Sequence, residues 1–510
     1  MEHKVRNRAE QSNRQVQACL QGCPLLFVQN HSSSCGFKRN TVPFERKLRS
    51  QGNNKHKHSE MKCEARNRAE HKSSKKLKAR PMKCEARNRA EHRTSKKLNE
   101  RNLTMKKIKG GVTAPKGFAA MGLKAGIKKD KKDMAMIYSS TPCVAAGTFT
   151  TNQVKAAPVI WDRDTIYTSD YVHAVVCNSG VANACTGKIG MDYCEQMAEA
   201  TAKALDIEKR QVLVASTGVI GAQLPMDKIT KGIQLLAPTL DESLDGGHLA
   251  AEAIMTTDTI PKEIAFEFEI GGKTCTIGGM CKGSGMIHPN MCTMLGFIMT
   301  DVKISKSMLY EALSGDIKDT FNMISVDGDT STNDTVLLLA NGLADNPEIT
   351  EKNEDYYKFV EALHAVNEFL AKKIAGDGEG ATALFEVKIV NAESKEQAVT
   401  LAKSIVTSSL TKAAIYGHDA NWGRILCAMG YSTAKFDPEK VDIYFESKVG
   451  KLKIVENGRA TDYSEKMATK ILSEPEVTTI ADVKMGDCEA TAWGCDLTHE
   501  YVSINADYRS

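Results

Sequence analysis

Residues 265–277 read AFEFEIGGKTCTI, and this stretch carries the plainest structural signal in the chain. Apolar and polar residues alternate over residues 265–270, which is typical of a strand with one buried face. Gly271 and Gly272 supply a two-residue turn, and residues 273–277 return as a second strand. The stretch therefore predicts an antiparallel β-hairpin.

Similar signals lie on both sides of this hairpin. The apolar residues of residues 191–205 follow helical spacing, residues 212–215 resemble a short buried strand, and alternation returns in residues 441–445. Mixed helices and hairpins favour a layered α/β fold. We expect layered helices and largely antiparallel sheets, since a doubly wound parallel sheet would lack the hairpins.

The charge of the chain is divided unevenly between two regions. Residues 1–104 contain 26 Lys and Arg against 9 Asp and Glu, whereas residues 105–510 contain 42 against 54. The first region also repeats the sequence MKCEARNRAEH, at residues 61–71 and 82–92. Charge of one sign with few large apolar residues buries too little surface to offset chain entropy. Residues 1–104 are therefore expected to form a basic, disordered extension.

Composition argues against several classes of protein. The apolar stretch at residues 19–28 is too short for a bilayer span of ~20 residues, so no membrane partner is expected. The 15 cysteines have no regular spacing, which favours a reducing compartment. No histidine after residue 104 stands at zinc-ligand spacing, and the glycines of residues 278–285 do not complete a phosphate-loop motif. Neither a metal nor a bound nucleotide cofactor is expected.

The basic repeats raise one alternative from another class, a nucleic-acid-binding protein. Such a protein would bind through salt-sensitive contacts between lysine or arginine and phosphate. The acidic composition of residues 105–510 argues against it, so we expect no nucleic-acid partner.

Residues 282–295 read KGSGMIHPNMCTML and form the most unusual segment of the chain. Small, flexible residues and a proline precede Cys292 and Thr293, and an apolar stretch follows, which predicts a tight turn that brings one hydroxyl to the edge of a core. A threonine hydroxyl is a weak nucleophile, and one base that activates it is the threonine's own α-amino group. That group is free only after the preceding peptide bond is cut, so Thr293 is a candidate nucleophile of a self-cleaving chain.

A second candidate element is residues 214–221, which read VASTGVIG and resemble a strand followed by a sharp turn. The Thr217 hydroxyl and the Gly218 N–H are donors of the kind that form an oxyanion hole. A Ser-Thr-Gly turn alone is more often an ordinary turn or helix cap, so its value depends on the other motifs.

Several long motifs occur in order through the acidic region: GGVTAPKGF (110–118), CNSGVANACTG (177–187), VASTGVIG (214–221), TTDT (256–259), KGSGMIHPNMCTML (282–295), DGDTSTND (327–334), GDGEGATALFEV (376–387) and YGHDANWGRI (416–425). Together they make residues 106–510 resemble the glutamate N-acetyltransferases, also called ornithine acetyltransferases. This resemblance covers essentially the whole region expected to fold.

The resemblance implies a precursor that cuts itself between Cys292 and Thr293. The products would be an N-terminal fragment of residues 105–292 and a C-terminal fragment of residues 293–510 that begins with the nucleophile. The family commonly has alanine before the threonine, so Cys292 is a departure. A cysteine is small and uncharged, and we expect cleavage to survive.

The resemblance also implies the reaction. Thr293 would take the acetyl group from N2-acetyl-L-ornithine, release L-ornithine, and pass the acetyl group to L-glutamate to give N-acetyl-L-glutamate. Some members of the family also acetylate glutamate from acetyl-CoA, which makes acetyl-CoA a candidate second substrate here. A self-cleaving amidase or aminopeptidase of related fold, in which water attacks the acyl-enzyme, is the alternative within enzymes.

Roles for individual residues follow from the same resemblance. Thr217 and Gly218 match the pair that stabilises the oxyanion. Lys282 is a natural partner for a substrate carboxylate, and Glu379 for the amino group of ornithine. The full set of matching substrate-binding positions is Thr256, Lys282, Thr293, Glu379, Asn505 and Ser510.

For assembly and location, the resemblance suggests two copies of each fragment in one heterotetramer. The cytoplasm is the expected compartment. A mitochondrial matrix is the alternative if the N-terminal extension is a presequence.

Overall fold

The structure of this protein is a computed structural model that describes residues 105–288 and 294–507. The extension predicted for residues 1–104 lies outside the described residues, and so does the predicted cleavage site between Cys292 and Thr293.

The strands, in chain order, are β1 (Lys106–Ile108), β2 (Phe118–Leu123), β3 (Met134–Phe149), β4 (Val172–Val181), β5 (Val212–Val219), β6 (Lys262–Ile270), β7 (Lys273–Lys282), β8 (Leu295–Thr300), β9 (Ile324–Ser325), β10 (Thr335–Ala340), β11 (Leu384–Ala392), β12 (Asp442–Ser447), β13 (Gly450–Glu456), β14 (Arg459–Ala460), β15 (Glu476–Asp482) and β16 (Cys488–Cys495). The α-helices are α1 (Ala157–Thr168), α2 (Ile189–Leu205), α3 (Met226–Leu236), α4 (Leu244–Ile254), α5 (Lys306–Asp316), α6 (Glu354–Gly376), α7 (Lys395–Val406), α8 (Ser409–Tyr416), α9 (Trp422–Gly430), α10 (Glu465–Leu472) and α11 (His499–Ala506).

These strands form two sheets. The first has nine strands in the order β1-β6-β7-β8-β10-β3-β4-β5, with β2 also paired to β3. The second has seven strands in the order β14-β13-β12-β15-β11-β16-β9. Parallel pairing is limited to β4–β5, β8–β10, β11–β15 and β9–β16 among the described pairs. The predicted α/β class with largely antiparallel sheets is confirmed.

The hairpin predicted from residues 265–277 is the pair β6–β7. Ile270 pairs with Lys273 across a two-residue turn, and Gly271 and Gly272 have φ values of +55° and +75°. Both values are left-handed, a conformation that glycine adopts without steric cost and that matches the twist of the two strands.

Helix α6 joins the two sheets. It packs against β6 and β7 of the first sheet and against β16 of the second, and Phe359, Leu363, Val366 and Leu370 on its buried side belong to a core that contains residues of both sheets. Asn353 caps its N-terminus by accepting a hydrogen bond from the Tyr356 N–H.

Other helices pack on one of the two sheets. Helix α4 packs on β2 and β3, α1 packs on β5, and α7 packs on β11 and β16. Helices therefore cover apolar surface of both sheets.

Candidate functional site

One cavity of about 500 Å³ gathers most of the predicted site residues. Six of them line it, although they come from distant parts of the chain: Thr217, Gly218, Thr256, Lys282, Glu379 and Asn505. The other three, Cys292, Thr293 and Ser510, lie outside the described residues.

Thr217 and Gly218 lie at the end of β5, inside the strand. We predicted a strand that ends before them, but pairing with β4 continues as far as Val181 and Val219. Gly218 has φ +127°, and a Cβ atom there would lie 2.3 Å from the carbonyl carbon of Gly180. Only glycine fits this position, because any side chain would overlap the backbone of the neighbouring strand.

Asn333 is a cavity residue to which the sequence prediction gave no role. Its side-chain amide donates hydrogen bonds to the carbonyl oxygens of Ala182 at 2.6 Å and Ser216 at 2.8 Å. Its amide oxygen accepts from the Thr332 hydroxyl at 2.6 Å. The residue thereby ties its loop to the backbone just before Thr217. Asn333 belongs to the DGDTSTND motif, and this motif was the sequence signal that could have identified it.

Glu379 lies in the wall of the cavity and is 5% exposed. Its Oε2 accepts a hydrogen bond from the Asn505 amide at 2.7 Å. The carboxyl group packs against the backbone of Gly285, where a Cβ atom would lie 2.4 Å from the Glu379 carboxyl carbon. Because the Asn505 amide is a neutral donor, it leaves the negative charge of the Glu379 carboxylate available to a cationic ligand group.

A buried cluster of charged side chains adjoins the cavity. Lys262 Nζ lies 2.7 Å from Asp258 Oδ1 and 2.6 Å from Asp377 Oδ2. Burial opposes the charge of Asp258, but Lys282 and Lys262 together hold its pKa well below the ordinary value. Burial also opposes the charge of Lys262, and the two carboxylates nevertheless raise its pKa. Asp258 and Lys262 are therefore ionised at neutral pH.

Two neutral polar groups stand near this region. Burial, with a further contribution from Lys403, lowers the pKa of His288 to about 4, so its ring is uncharged at neutral pH. Burial together with the charges of Asp327 and Glu379 raises the pKa of the Tyr501 hydroxyl. Both groups therefore offer hydrogen bonds and no charge.

The described part of the chain contains neither a candidate metal site nor a membrane-spanning helix. Within residues 105–288 and 294–507, no group of three or more His, Cys, Asp or Glu side chains is arranged to hold a metal ion. In the same part of the chain, every helix is too short or too polar to cross a bilayer.

Comparison with known proteins gives consistent matches. The model of the ArgJ family matches residues 119–510. The chain is 50% identical over 406 residues to the arginine biosynthesis bifunctional protein ArgJ of Caldanaerobacter subterraneus. This match covers 80% of this chain and 100% of that protein. It is 53% identical over 409 residues to the ArgJ protein of Symbiobacterium thermophilum, with 80% and 100% coverage.

Two solved structures also match the chain. A crystal structure of the arginine biosynthesis bifunctional protein ArgJ from Bacillus halodurans is 43% identical, covers 38% of this chain and all of that chain, and has a TM-score of 0.37. Ornithine acetyltransferase from Mycobacterium tuberculosis, solved in complex with ornithine, is 43% identical and has a TM-score of 0.35. This match covers 37% of this chain and 99% of that chain.

Proposed function

Since the chain belongs to the ArgJ family and is therefore an acetyltransferase of arginine biosynthesis, we propose that Thr293 carries the acetyl group from N2-acetyl-L-ornithine to L-glutamate. Autocleavage between Cys292 and Thr293 would prepare the nucleophile by freeing its α-amino group.

The observation that carries this proposal is the convergence of six matching residues on one cavity. A smaller adjoining cavity of about 30 Å³ shares Thr217 and Lys282 with it and is also lined by Met294. Met294 directly follows Thr293 in the sequence. This contact supports a nucleophile at the edge of the larger cavity.

The reaction follows from the chemistry of these groups. The α-amino group of Thr293 takes the hydroxyl proton as the oxygen attacks the acetyl carbonyl. The Thr217 hydroxyl and the Gly218 N–H stabilise the resulting oxyanion, a contribution of about 3 kcal/mol per donor. The intermediate collapses, the proton passes to the departing α-amino group of ornithine, and an acetyl ester remains on Thr293. The uncharged amine of glutamate then attacks that ester, the bond between the acetyl carbon and the Thr293 oxygen breaks, and the amine proton passes through the α-amino group to that oxygen as N-acetylglutamate leaves.

Charge complementarity supports a position in the cavity for each charged group of the substrate. We place the substrate α-carboxylate at the Lys282 ammonium and the side-chain ammonium of ornithine at Glu379. Thr256, Asn505 and Ser510 complete the binding positions. Acetyl-CoA is proposed as a second acetyl donor at the same threonine, and the reaction as written needs no resident cofactor or metal.

Assembly and location are proposed on the family alone. The two fragments would associate as two copies of each, which light scattering of the cleaved protein tests. The cytoplasm is the proposed compartment and a mitochondrial matrix the alternative, which fractionation of the source cell distinguishes.

The central test is intact-mass and denaturing gel analysis of the wild type beside Thr293→Ala. We expect two fragments from the wild type, the smaller beginning at Thr293, and one uncut chain without transfer activity from the variant. Thr400→Ala is the matched control, because this half-buried threonine lies on α7 and hydrogen-bonds only within its helix turn in the described structure. A wild type that remains uncut yet transfers acetyl groups would contradict the proposal.

The same preparation separates transfer from hydrolysis. Release of ornithine that depends on glutamate and yields N-acetylglutamate supports the transferase. Release of acetate at the same rate with and without glutamate would instead indicate an amidase.

A further inference from the structure

Four charged side chains meet beside the cavity with little access to solvent. The side chains of Lys262 and Asp258 are fully buried and pair at 2.7 Å, and Lys262 also pairs with Asp377 at 2.6 Å. Lys282, the fourth, is 8% exposed and lines the cavity. Its neighbour Gly283 donates its backbone N–H to Asp258 Oδ1 at 2.6 Å. Asp258 therefore lies beside two lysines, and the structure pairs it with Lys262.

Buried ion pairs are a costly way to stabilise a fold. Two charges lose their hydration, their attraction repays this only in part, and apolar side chains of similar volume often serve stability equally well. The members of this cluster instead connect segments of the cavity wall. Asp258 accepts the backbone N–H of Thr256 at 3.0 Å, and Asp377, which accepts that of Thr259 at 3.0 Å, stands two residues before Glu379.

We propose that Lys262 is a positioning residue that neutralises Asp258 and so keeps the Lys282 ammonium free for the substrate carboxylate. The inference rests on the proposed role of Lys282. In the described part of the chain no carboxylate forms an ion pair with Lys282, even though Asp258 adjoins it. Asp258 forms its ion pair with Lys262, and a carboxylate that already has a buried counter-ion gains less from a second one.

Loss of the Lys262 charge changes this balance. Asp258 would be a buried carboxylate whose remaining cationic neighbour is Lys282. A buried charge without a partner is far more costly than a paired one, so the Lys282 ammonium would turn toward Asp258 and away from the ligand. The substrate would then meet a lysine that is already engaged.

The test compares two acetyl donors that differ only in the group that meets Lys282, namely N2-acetyl-L-ornithine and its α-carboxamide. The variant is K262M/D377N, which removes one positive and one negative charge and leaves Asp258 ionised. We expect the ratio of kcat/KM for the carboxylate donor over the carboxamide donor to fall about tenfold or more. The ratio should approach that of Lys282→Met, and the change should lie mainly in KM.

Two further variants make the comparison specific. Lys273→Met removes a half-exposed lysine of β7, the strand that ends at Lys282, and should leave the ratio at the wild-type value. Lys262→Gln removes the charge but retains an amide that donates to Asp258, and thermal unfolding identifies which variants are folded. We expect the same fall in the ratio for this single substitution.

A merely structural role for Lys262 predicts a different pattern. Both donors would lose activity by the same factor and the ratio would stay at its wild-type value, a result that would overturn the proposal. Calorimetric binding of the two donors gives the same ratio without turnover. If the wild type binds the carboxylate donor but transfers nothing, the proposed reaction fails while the binding ratio still decides the role of Lys262.

Discussion

At the scale of single residues, the backbone conformation of Gly218 determines where its N–H points. We predict that Gly218→Ala lowers kcat for acetyl transfer by about 100-fold or more, the usual effect of losing one oxyanion donor. The new Cβ atom would overlap the carbonyl carbon of Gly180 at 2.3 Å, so β5 must shift at the proposed oxyanion hole. Steady-state kinetics on cleaved protein and thermal unfolding measure the two effects.

Gly221 supplies the matched control for this substitution. It also has a positive φ, +84°, but no atom lies within 4 Å of an added Cβ among the described contacts. Gly221→Ala should therefore cost about 1 kcal/mol of stability through backbone strain and leave kcat close to the wild type. Equal losses of kcat in the two variants would mean that strain, and not the position of the N–H, explains the effect.

At the scale of secondary-structure elements, local sequence signals predict individual strands and turns well. They do not predict which distant strands pair. The β6–β7 hairpin follows from alternation and a Gly-Gly turn, all within residues 265–277. The extension of β5 through Thr217 depends on pairing with β4, which no pattern in residues 214–221 reveals. Of the six cavity residues, Thr217 and Gly218 were candidates from their own turn, and the other four were predicted only through resemblance to a family, since periodicity carries no information about which loops meet.

The buried cluster of charged side chains shows the same limit of sequence-based prediction at the candidate site. Lys262 stands at the start of an ordinary strand, and its partner Asp377 is 115 residues away in sequence. A lone lysine in a strand is usually solvated, so no local signal distinguishes it. Only the packing of α6 against β6 brings the two charges together.

The contact between α5 and α6 predicts a pH dependence of stability. His364 Nδ1 on α6 lies 2.6 Å from Asp316 Oδ1 on α5, and this hydrogen bond raises the pKa of His364 despite partial burial. Because the folded pKa exceeds the unfolded value, the stabilisation is complete below about pH 6.5 and is lost as pH rises through the folded pKa. The ring is 43% exposed, so we expect only about 0.5 kcal/mol.

Urea unfolding at pH 6 and pH 8.5 measures this effect. His364→Gln should lose less stability than the wild type over this interval, because the titrating contact is absent. His418→Asn is the control, since this exposed histidine lies between α8 and α9 at φ +52°, where asparagine is well tolerated. It should keep the wild-type pH dependence, and a wild-type slope in His364→Gln would contradict the assignment.

At the scale of the whole acetyltransferase region, the predicted cleavage site divides the chain but not the first sheet. Strands β8 and β10 follow the site in sequence, yet they lie between β7 and β3, which precede it. Lys282 pairs with Leu295 at the β7–β8 border, and Thr335 pairs with Phe149 at the β10–β3 border. All residues of β8 and β10 are buried.

This interleaving predicts that the fragments stay together after cleavage. Their separation would expose the leucine, isoleucine, phenylalanine, valine and methionine side chains of two central strands at about 2 kcal/mol each, besides breaking two ladders of backbone hydrogen bonds. We therefore expect cleaved wild type and uncut Thr293→Ala to elute at the same volume in native size-exclusion chromatography, while a denaturing gel resolves two fragments only in the former. Salt at 1 M should not separate them, because screening weakens exposed charge pairs and leaves apolar burial in place. Fragments that elute separately in native buffer would show that cleavage releases β8 and β10 from the sheet, which the described pairing does not allow.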